Sequence, residues 1–318
     1  MVMAQSLFIA LKQRHPECRI DVIAPAWSLP LLQRMPEVDQ ALAMPVARGQ
    51  FNLLDRIRIG RGLRNRQYDQ AILLPNSWKS ALVPFFAGIP RRTGYLGEMR
   101  WGLLNDIRPL NKERLSMTVQ RFVALTDSKT DAAPDCPYPR LTIDPQQQQA
   151  VADKFSLSGD GQILALCPGA EYGPAKRWPA EHFASVARQM HQKGWRIWLF
   201  GSEKDRAVTE QINALSGGVC QDLAGRTSLA EAVDAMSLVD AVVSNDSGLM
   251  HVAAALDKKI IALYGSSDPG FTPPLHPEAE IISLRLDCSP CFERECPLGH
   301  THCLTGIAPE RVMATLTL

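Results

Sequence analysis

Two strand-to-helix junctions in the second half of this 318-residue chain carry residue types suited to phosphate chemistry. The first is A-V-V-S-N-D-S-G-L-M-H-V-A-A-A-L, over 241–256. An apolar run ends in Asn245, Asp246, Ser247 and Gly248 and then turns helical. Free backbone N–H groups at such a helix start, together with the helix dipole, form an anion site. Gly248 would let a phosphate approach the backbone, and His251 in the first turn can donate to the same oxygens. A plain N-cap, with Asp246 or Ser247 satisfying the helix and nothing bound, fits the same residues. The second junction is L-C-P-G-A-E-Y-G-P-A-K-R-W-P, over 166–179. There a strand ends at a Pro-Gly turn, and the loop carries Lys176 and Arg177 before the next helix. Cations at a strand's carboxyl end can neutralise a leaving diphosphate; the bland alternative is a solvated pair. Two such junctions in one half of the chain favour a phosphate ligand. Neither a G-x-G-x-x-G after a strand nor a G-x-x-x-x-G-K occurs, so the familiar dinucleotide and P-loop readings lack support.

The periodicity that must position these loops is α/β. Strands are predicted at 163–167, 196–200, 241–244 and 259–263, and helices at 180–193, 204–214, 229–237 and 248–256. Short apolar strands between amphipathic helices predict parallel sheets covered on both faces. The first half alternates less clearly, with strands at 20–24 and 70–74 and helices at 53–66, 77–87 and 113–125. A helical run, 1–15, precedes its first convincing strand, as in a βαβ unit lacking its opening strand. The proline-rich stretch 127–145 reads as a linker, and Asp144 before Pro145 as the N-cap of a helix reaching 155. The expected architecture is two Rossmann-like domains, 1–143 and 144–318, with ligands at the carboxyl ends of the strands.

Charge divides the same way. The chain as a whole has a formal charge of +1. Residues 1–143 hold 20 Lys+Arg against 12 Asp+Glu, and residues 144–318 hold 14 against 21. The basic excess concentrates in D-R-I-R-I-G-R-G-L-R-N-R, with Arg56, Arg58, Arg61, Arg64 and Arg66, followed by Arg91 and Arg92. No aromatic stacking run or recognition motif accompanies them, so nucleic acid is not the expected partner; a solvated helix face would use the same residues. No apolar run reaches the length of a membrane span, and no export signal is apparent, which predicts a cytoplasmic protein. Eight cysteines are too few for a disulfide scaffold. Four of them, Cys288, Cys291, Cys296 and Cys303, crowd into a loop at 288–303 with His300 and His302. Bound zinc and reduced or paired thiols both remain open for that loop.

Three long motifs resemble one family: N-D-S-G-L-M-H-V-A-A-A-L, P-G-A-E-Y-G-P-A-K-R-W-P, and L-P-N-S-W-K-S-A-L-V-P-F-F-A-G-I-P-R-R-T-G-Y. With G-E-M-R-W-G-L-L-N-D and F-T-P-P-L, they are similar to the ADP-heptose–lipopolysaccharide heptosyltransferases over almost the whole chain, nearest the heptosyltransferase II branch. The resemblance implies a GT-B fold, two Rossmann-like domains flanking a cleft, and inverting transfer without a metal or other cofactor. It implies an acceptor-binding N-terminal domain and an ADP-heptose-binding C-terminal domain. Lys176 would stabilise the diphosphate, and Asp246, Ser247, Gly248, Leu249 and His251 would line the phosphate and sugar pocket. Thr227 would lie near the nucleoside, and Glu203 or Asp205 near the ribose. Arg56, Arg58, Arg61, Arg64, Asn76 and Lys79 would meet the lipopolysaccharide inner-core acceptor, at the anionic inner face of a Gram-negative inner membrane. The family's G-D-M-V-M-x-x-S-L motif carries the expected catalytic base on its Asp, and this chain starts at the Met that follows. Little transferase activity is therefore expected without upstream residues. A non-catalytic remnant that binds ADP-sugar or lipopolysaccharide and a GT-B sugar-nucleotide epimerase are the alternatives.

Overall fold

The computed structural model describes residues 1–46, 49–126, 132–157 and 161–316. Its first half runs α1 (Gln5–Arg14), β1 (Asp21–Pro25), α2 (Leu29–Leu32), β2 (Gln40–Met44), α3 (Leu53–Leu63), β3 (Gln70–Leu73), α4 (Leu82–Phe86), β4 (Arg91–Tyr95), β5 (Asp106–Arg108) and α5 (Thr118–Val123). All pairing here is parallel, in two sheets: β1 with β2, and β3-β4-β5 in that order. Two of these strands, β4 and β5, lack the apolar run that marks a strand in sequence. Strand β4 is R-R-T-G-Y, and only its last three residues are buried. The predicted helix 113–125 forms only from Thr118. Upstream, the Asn111 side chain takes the amides of Glu113 and Arg114 (both 3.0 Å) and closes a turn instead.

The second half is more regular. Helix α6 (Pro145–Phe155) starts where its cap predicts, the Asp144 carboxylate accepting from the Gln146 amide at 2.9 Å. There follow β6 (Ile163–Cys167), α7 (Ala180–Gln192), β7 (Arg196–Leu199), α8 (Arg206–Ser216), β8 (Cys220–Asp222), α9 (Leu229–Met236), β9 (Ala241–Asn245), α10 (Gly248–Ala255), β10 (Lys259–Tyr264), β11 (Glu280–Ser283), α11 (His302–Thr305) and α12 (Pro309–Leu316). Six parallel strands form one sheet in the order β11-β10-β9-β6-β7-β8. Strands β6 and β9 are buried at every residue, because helices cover both faces of a parallel sheet. On one face Leu164, Leu166, Ile197, Leu199, Val243, Ile261 and Leu263 pack against Phe183, Val186 and Met190 of α7 and Val312 and Leu316 of α12.

The chain divides into two units. One is Ala4–Gln33 with Glu37–Pro137; the other is Tyr138–Leu318 with Met1–Met3 and Arg34–Pro36. Arg34 joins the second unit through a buried ion pair with Asp234 at 2.7 Å. Its backbone carbonyl also takes the Thr142 amide at 2.8 Å.

In the second unit the strand order reverses beside β6, since β7 lies on one side of it and β9 on the other. Crevices at the carboxyl ends of such strands are where open α/β sheets bind ligands. Among the described residues no helix is long and apolar enough to cross a membrane.

Phe183 is fully buried and meets Trp178 edge-on, with ring centroids 4.8 Å apart. Phe183→Ala is expected to cost about 3–5 kcal/mol of stability, read as a lower denaturation midpoint in chemical unfolding.

Candidate active site

Both phosphate-type loops leave the sheet at this reversal. Asn245, the last residue of β9, is fully buried. Its side-chain amide donates to the Pro168 carbonyl at 2.7 Å, and its Oδ1 accepts the Trp178 amide at 3.1 Å. One side chain thus ties the end of β9 to both ends of the 168–178 loop. Trp178 completes the anchor, its indole N–H donating to the Ile307 carbonyl at 3.0 Å.

The loop delivers Lys176 to Asp246, Nζ lying 2.5 Å from Oδ2. Nζ also sits over the Tyr172 ring, 5.0 Å from its centroid, and the Arg294 guanidinium lies 5.3 Å from the same centroid. Ser247 is the N-cap of α10, but neither it nor Asp246 caps the helix through its side chain. The plain N-cap alternative therefore fails at this junction. Next in line, Gly248 is exposed, and a Cβ built on it would meet nothing within 4 Å. The start of α10 thus offers uncapped amides facing open space, with an ammonium beside them.

His251 projects from the first turn of α10 and has no partner for Nδ1. Burial depresses its pKa to about 4, against an opposing pull from the Asp246 carboxylate, with Lys176 adding to the depression. At neutral pH it is an uncharged imidazole able to donate or accept one hydrogen bond. Just beyond β10, the neighbouring strand, Ser266 and Ser267 are buried with hydroxyls that have no partner among the described groups. Unpaired polar atoms along one sheet edge are what a polar ligand would satisfy.

Other predicted residues are placed differently. The Asp205 carboxylate accepts from Ser202 N (2.9 Å) and Ser202 Oγ (2.7 Å), both through Oδ2, and so closes its own turn. Glu203 is exposed and pairs with Arg206 at 3.2 Å. Thr227 is half-buried, its hydroxyl 3.4 Å from the Leu223 carbonyl, and Leu249 is half-buried in the first turn of α10.

In the first unit Arg56 is a correction to the predicted acceptor set. It is buried and spent on the carbonyls of Phe51 (2.7 Å), Gln50 (3.2 Å) and Lys79 (3.3 Å), where it holds backbone. Arg58 is exposed and pairs with Asp55 at 2.9 Å, Arg61 is exposed, and Arg64 donates to the Phe86 carbonyl at 3.0 Å. Asn76 and Lys79 lie on the loop after β3, with the Asn76 side chain exposed.

The cysteine-rich loop brings its four cysteines to one place. Cys288, Cys291, Cys296 and Cys303 line one cavity of about 20 Å³ with His300, yet among the described residues no three His, Cys, Asp or Glu side chains are arranged to hold a metal ion. The Cys296 sulfur is engaged by the backbone amide of Thr301, then by those of Leu298, His300 and Gly299, which hold its thiol below the usual range. What the loop does is brace the site. The Arg294 carbonyl accepts the Ala175 amide at 3.0 Å, and Tyr172 Oη donates to the Phe292 carbonyl at 2.5 Å. A Cβ on Gly173 would lie 2.4 Å from that Arg294 carbonyl, so only glycine allows the approach. Sequence spacing gave no signal for Tyr172 or Arg294, because they meet across more than a hundred residues.

The glycosyltransferase family 9 (heptosyltransferase) profile matches residues 56–302, which spans both phosphate-type loops and the first-unit basic segment. The chain belongs to this family. It is 46% identical to lipopolysaccharide heptosyltransferase 2 of Salmonella typhimurium, over 99% of this chain and 94% of the relative. It is 47% identical to lipooligosaccharide heptosyltransferase 2 of Haemophilus ducreyi, with the same coverage. The solved structure of Escherichia coli ADP-heptose lps heptosyltransferase II superposes with a TM-score of 0.87 at 44% identity, covering 100% of this chain and 94% of that one. The expected GT-B class of α/β fold is the one this family member has. The chain is a glycosyltransferase of the heptosyltransferase II type, and relatives of this kind leave the epimerase and remnant alternatives unsupported.

Asp246 favours the charged form of His251, so Asp246→Asn is expected to push the imidazole pKa below its value of about 4. An NMR titration of the His251 ring protons reads this directly, and a rise would contradict the geometry.

Proposed function

We propose that this heptosyltransferase takes heptose from ADP-heptose and adds it to the first heptose of the lipopolysaccharide inner core, with inversion at the transferred carbon. The second unit holds the donor and the first unit meets the acceptor. In the transfer an acceptor hydroxyl oxygen bonds the anomeric carbon from the face opposite ADP and gives its proton to a base, while the anomeric C–O bond to the diphosphate breaks and its electron pair leaves with ADP. The observation that carries this reading is the Lys176 ammonium, held by Asp246 at 2.5 Å beside the uncapped start of α10. An ammonium and fixed amide dipoles stabilise charge that develops on a leaving phosphate without reorganising. Neutral His251 and the Ser247 hydroxyl supply uncharged hydrogen bonds to the same oxygens or to the sugar. The excess of acidic residues in 144–318 supports a local mechanism for holding ADP, since no global field there attracts an anion.

On the acceptor side, Arg58, Arg61 and Lys79 are the cations whose partners leave them available to phosphorylated sugar. Exposed apolar side chains accompany them, notably Leu54 at 76% and Trp78 at 42% exposure. That combination suits peripheral attachment to an anionic bilayer from the cytoplasmic side.

Lys176→Ala is expected to lower kcat/KM for transfer from ADP-heptose by roughly 100–1,000-fold, a typical cost of losing one charge-stabilising group. Unchanged kcat/KM in a folded variant would refute the assignment. Binding to vesicles rich in phosphatidylglycerol is expected to weaken as salt rises past the range where the Debye length is about 10 Å. Salt-insensitive binding, or equal binding to neutral vesicles, would refute the electrostatic attachment.

A further inference from the structure

Arg100 is the largest charged side chain that the first unit buries completely. A buried guanidinium is costly unless its donors are satisfied, and carboxylates usually do this. Here the hydrogen-bond partners among the described residues are neutral oxygens, with the Glu98 carboxylate close enough to favour the charge. Nη1 donates to the Pro75 carbonyl at 2.8 Å and to Ser80 Oγ at 3.2 Å. Nη2 donates to the Tyr95 carbonyl and to Asn76 Oδ1, the latter at 3.4 Å, while Nε reaches the Leu96 carbonyl at 3.3 Å. The planar fork therefore joins two backbone segments: the loop 75–80 after β3 and the turn 95–97 after β4.

Further bonds draw the same two segments together. The Glu98 amide donates to the Asn76 carbonyl at 3.0 Å, and the Glu98 carboxylate accepts the Trp78 amide at 3.1 Å. Gly97 has φ +54°, and a Cβ there would fall 2.2 Å from the Asn76 carbonyl oxygen. Inside the loop Ser80 Oγ donates to the Ser77 carbonyl at 2.5 Å. Behind it Arg56 holds the Lys79 carbonyl at 3.3 Å and the Phe51 carbonyl at 2.7 Å. The outcome is a rigid loop whose outward side chains are Asn76, Lys79 and Trp78, with the Trp78 ring 5.0 Å from that of Phe51. An aromatic pair with an amide and an ammonium beside it suits a sugar ring that bears anionic groups.

We propose that Arg100 is a positioning residue for the acceptor: it touches no substrate, but it sets the shape of the 75–80 loop that presents Asn76, Trp78 and Lys79 to an anionic sugar. This rests on the reading of the first unit as the acceptor side. A lysine cannot substitute, because its three donors form no planar fork able to span five oxygens.

The test is steady-state kinetics with both substrates varied, on the full chain. Arg100→Lys is expected to raise the acceptor KM by about tenfold or more, as loss of a bidentate site does, while the KM for ADP-heptose stays near the unaltered protein's. Ser80→Ala, a smaller change to the same clamp, is expected to raise the acceptor KM by a few-fold and also leaves the donor KM in place. Arg100→Lys with an unchanged acceptor KM, or with both KM values rising together, overturns the proposal. If Arg100→Lys does not fold, Ser80→Ala decides by the same criterion. Lys79→Ala separates the two layers of the argument. If it raises the acceptor KM and the clamp variants do not, only the role of Arg100 falls. If it also leaves the acceptor KM unchanged, the acceptor reading of this loop falls and the positioning role falls with it.

Discussion

The ion pair between Lys176 and Asp246 is the interaction around which the donor side is organised. Its two members come from different strand-to-helix junctions, and they meet only because β6 and β9 are neighbours in the sheet. Each charge alone would be expensive at such a half-covered edge, and the pair makes both tolerable. The carboxylate also aims the ammonium at the start of α10 instead of leaving it on a free, flexible stem. Asn245 supports the arrangement from below by clasping Pro168 and Trp178, so the loop carrying Lys176 is tied down at both ends. A cation held in place before the ligand arrives loses little entropy on binding and needs no rearrangement during reaction.

The cysteine-rich segment takes on a different meaning in this setting. Its spacing leaves metal binding and free thiols open, and the backbone amides around the Cys296 sulfur favour its thiolate form. The segment lies against the Lys176 loop through the Arg294 and Phe292 carbonyls, and its amide at Phe292 bonds the Ser266 carbonyl at 2.7 Å. It is a brace that holds the Lys176 loop in place. The first unit uses the same device with another residue: Arg100 satisfies carbonyls and thereby sets the course of a loop. In both units a loop of the proposed binding site is shaped by main-chain hydrogen bonds from a distant segment.

Much of the second half was legible in advance. Helix α6 begins at Pro145 as its Asp-Pro cap predicts, and β6 covers the predicted residues, because isolated apolar runs with clear caps leave little choice. Strands β2, β4 and β5 were not visible: R-R-T-G-Y and D-I-R hold too few apolar residues to declare themselves, and Q-A-L-A-M has no β-branched or aromatic residue. They are strands because a neighbouring strand offers them hydrogen bonds, which is a tertiary fact. Arg56 misleads for a similar reason. In sequence it is one of five arginines on a helix, and only the fold shows that it alone turns inward to hold three carbonyls.

By itself the sequence determined the α/β class, the two strand-to-helix junctions and the family, since these rest on local periodicity, capping and long contiguous motifs. It also showed that the basic charge lies in the first half and the acidic excess in the second. Tertiary structure alone decided which of the marked residues act together. Lys176 and Asp246 are 70 positions apart, and nothing in their spacing says that Nζ will rest on Oδ2. Tyr172 and Arg100 lie inside the motifs P-G-A-E-Y-G-P and G-E-M-R-W-G, and Arg294 lies in none, yet the roles of all three consist of contacts that no motif spells out. Arg56 looks like a ligand-binding residue until its hydrogen bonds are traced. A side chain can serve a ligand only with the bonding capacity that the fold leaves unspent, and that remainder is set by packing, not by residue type.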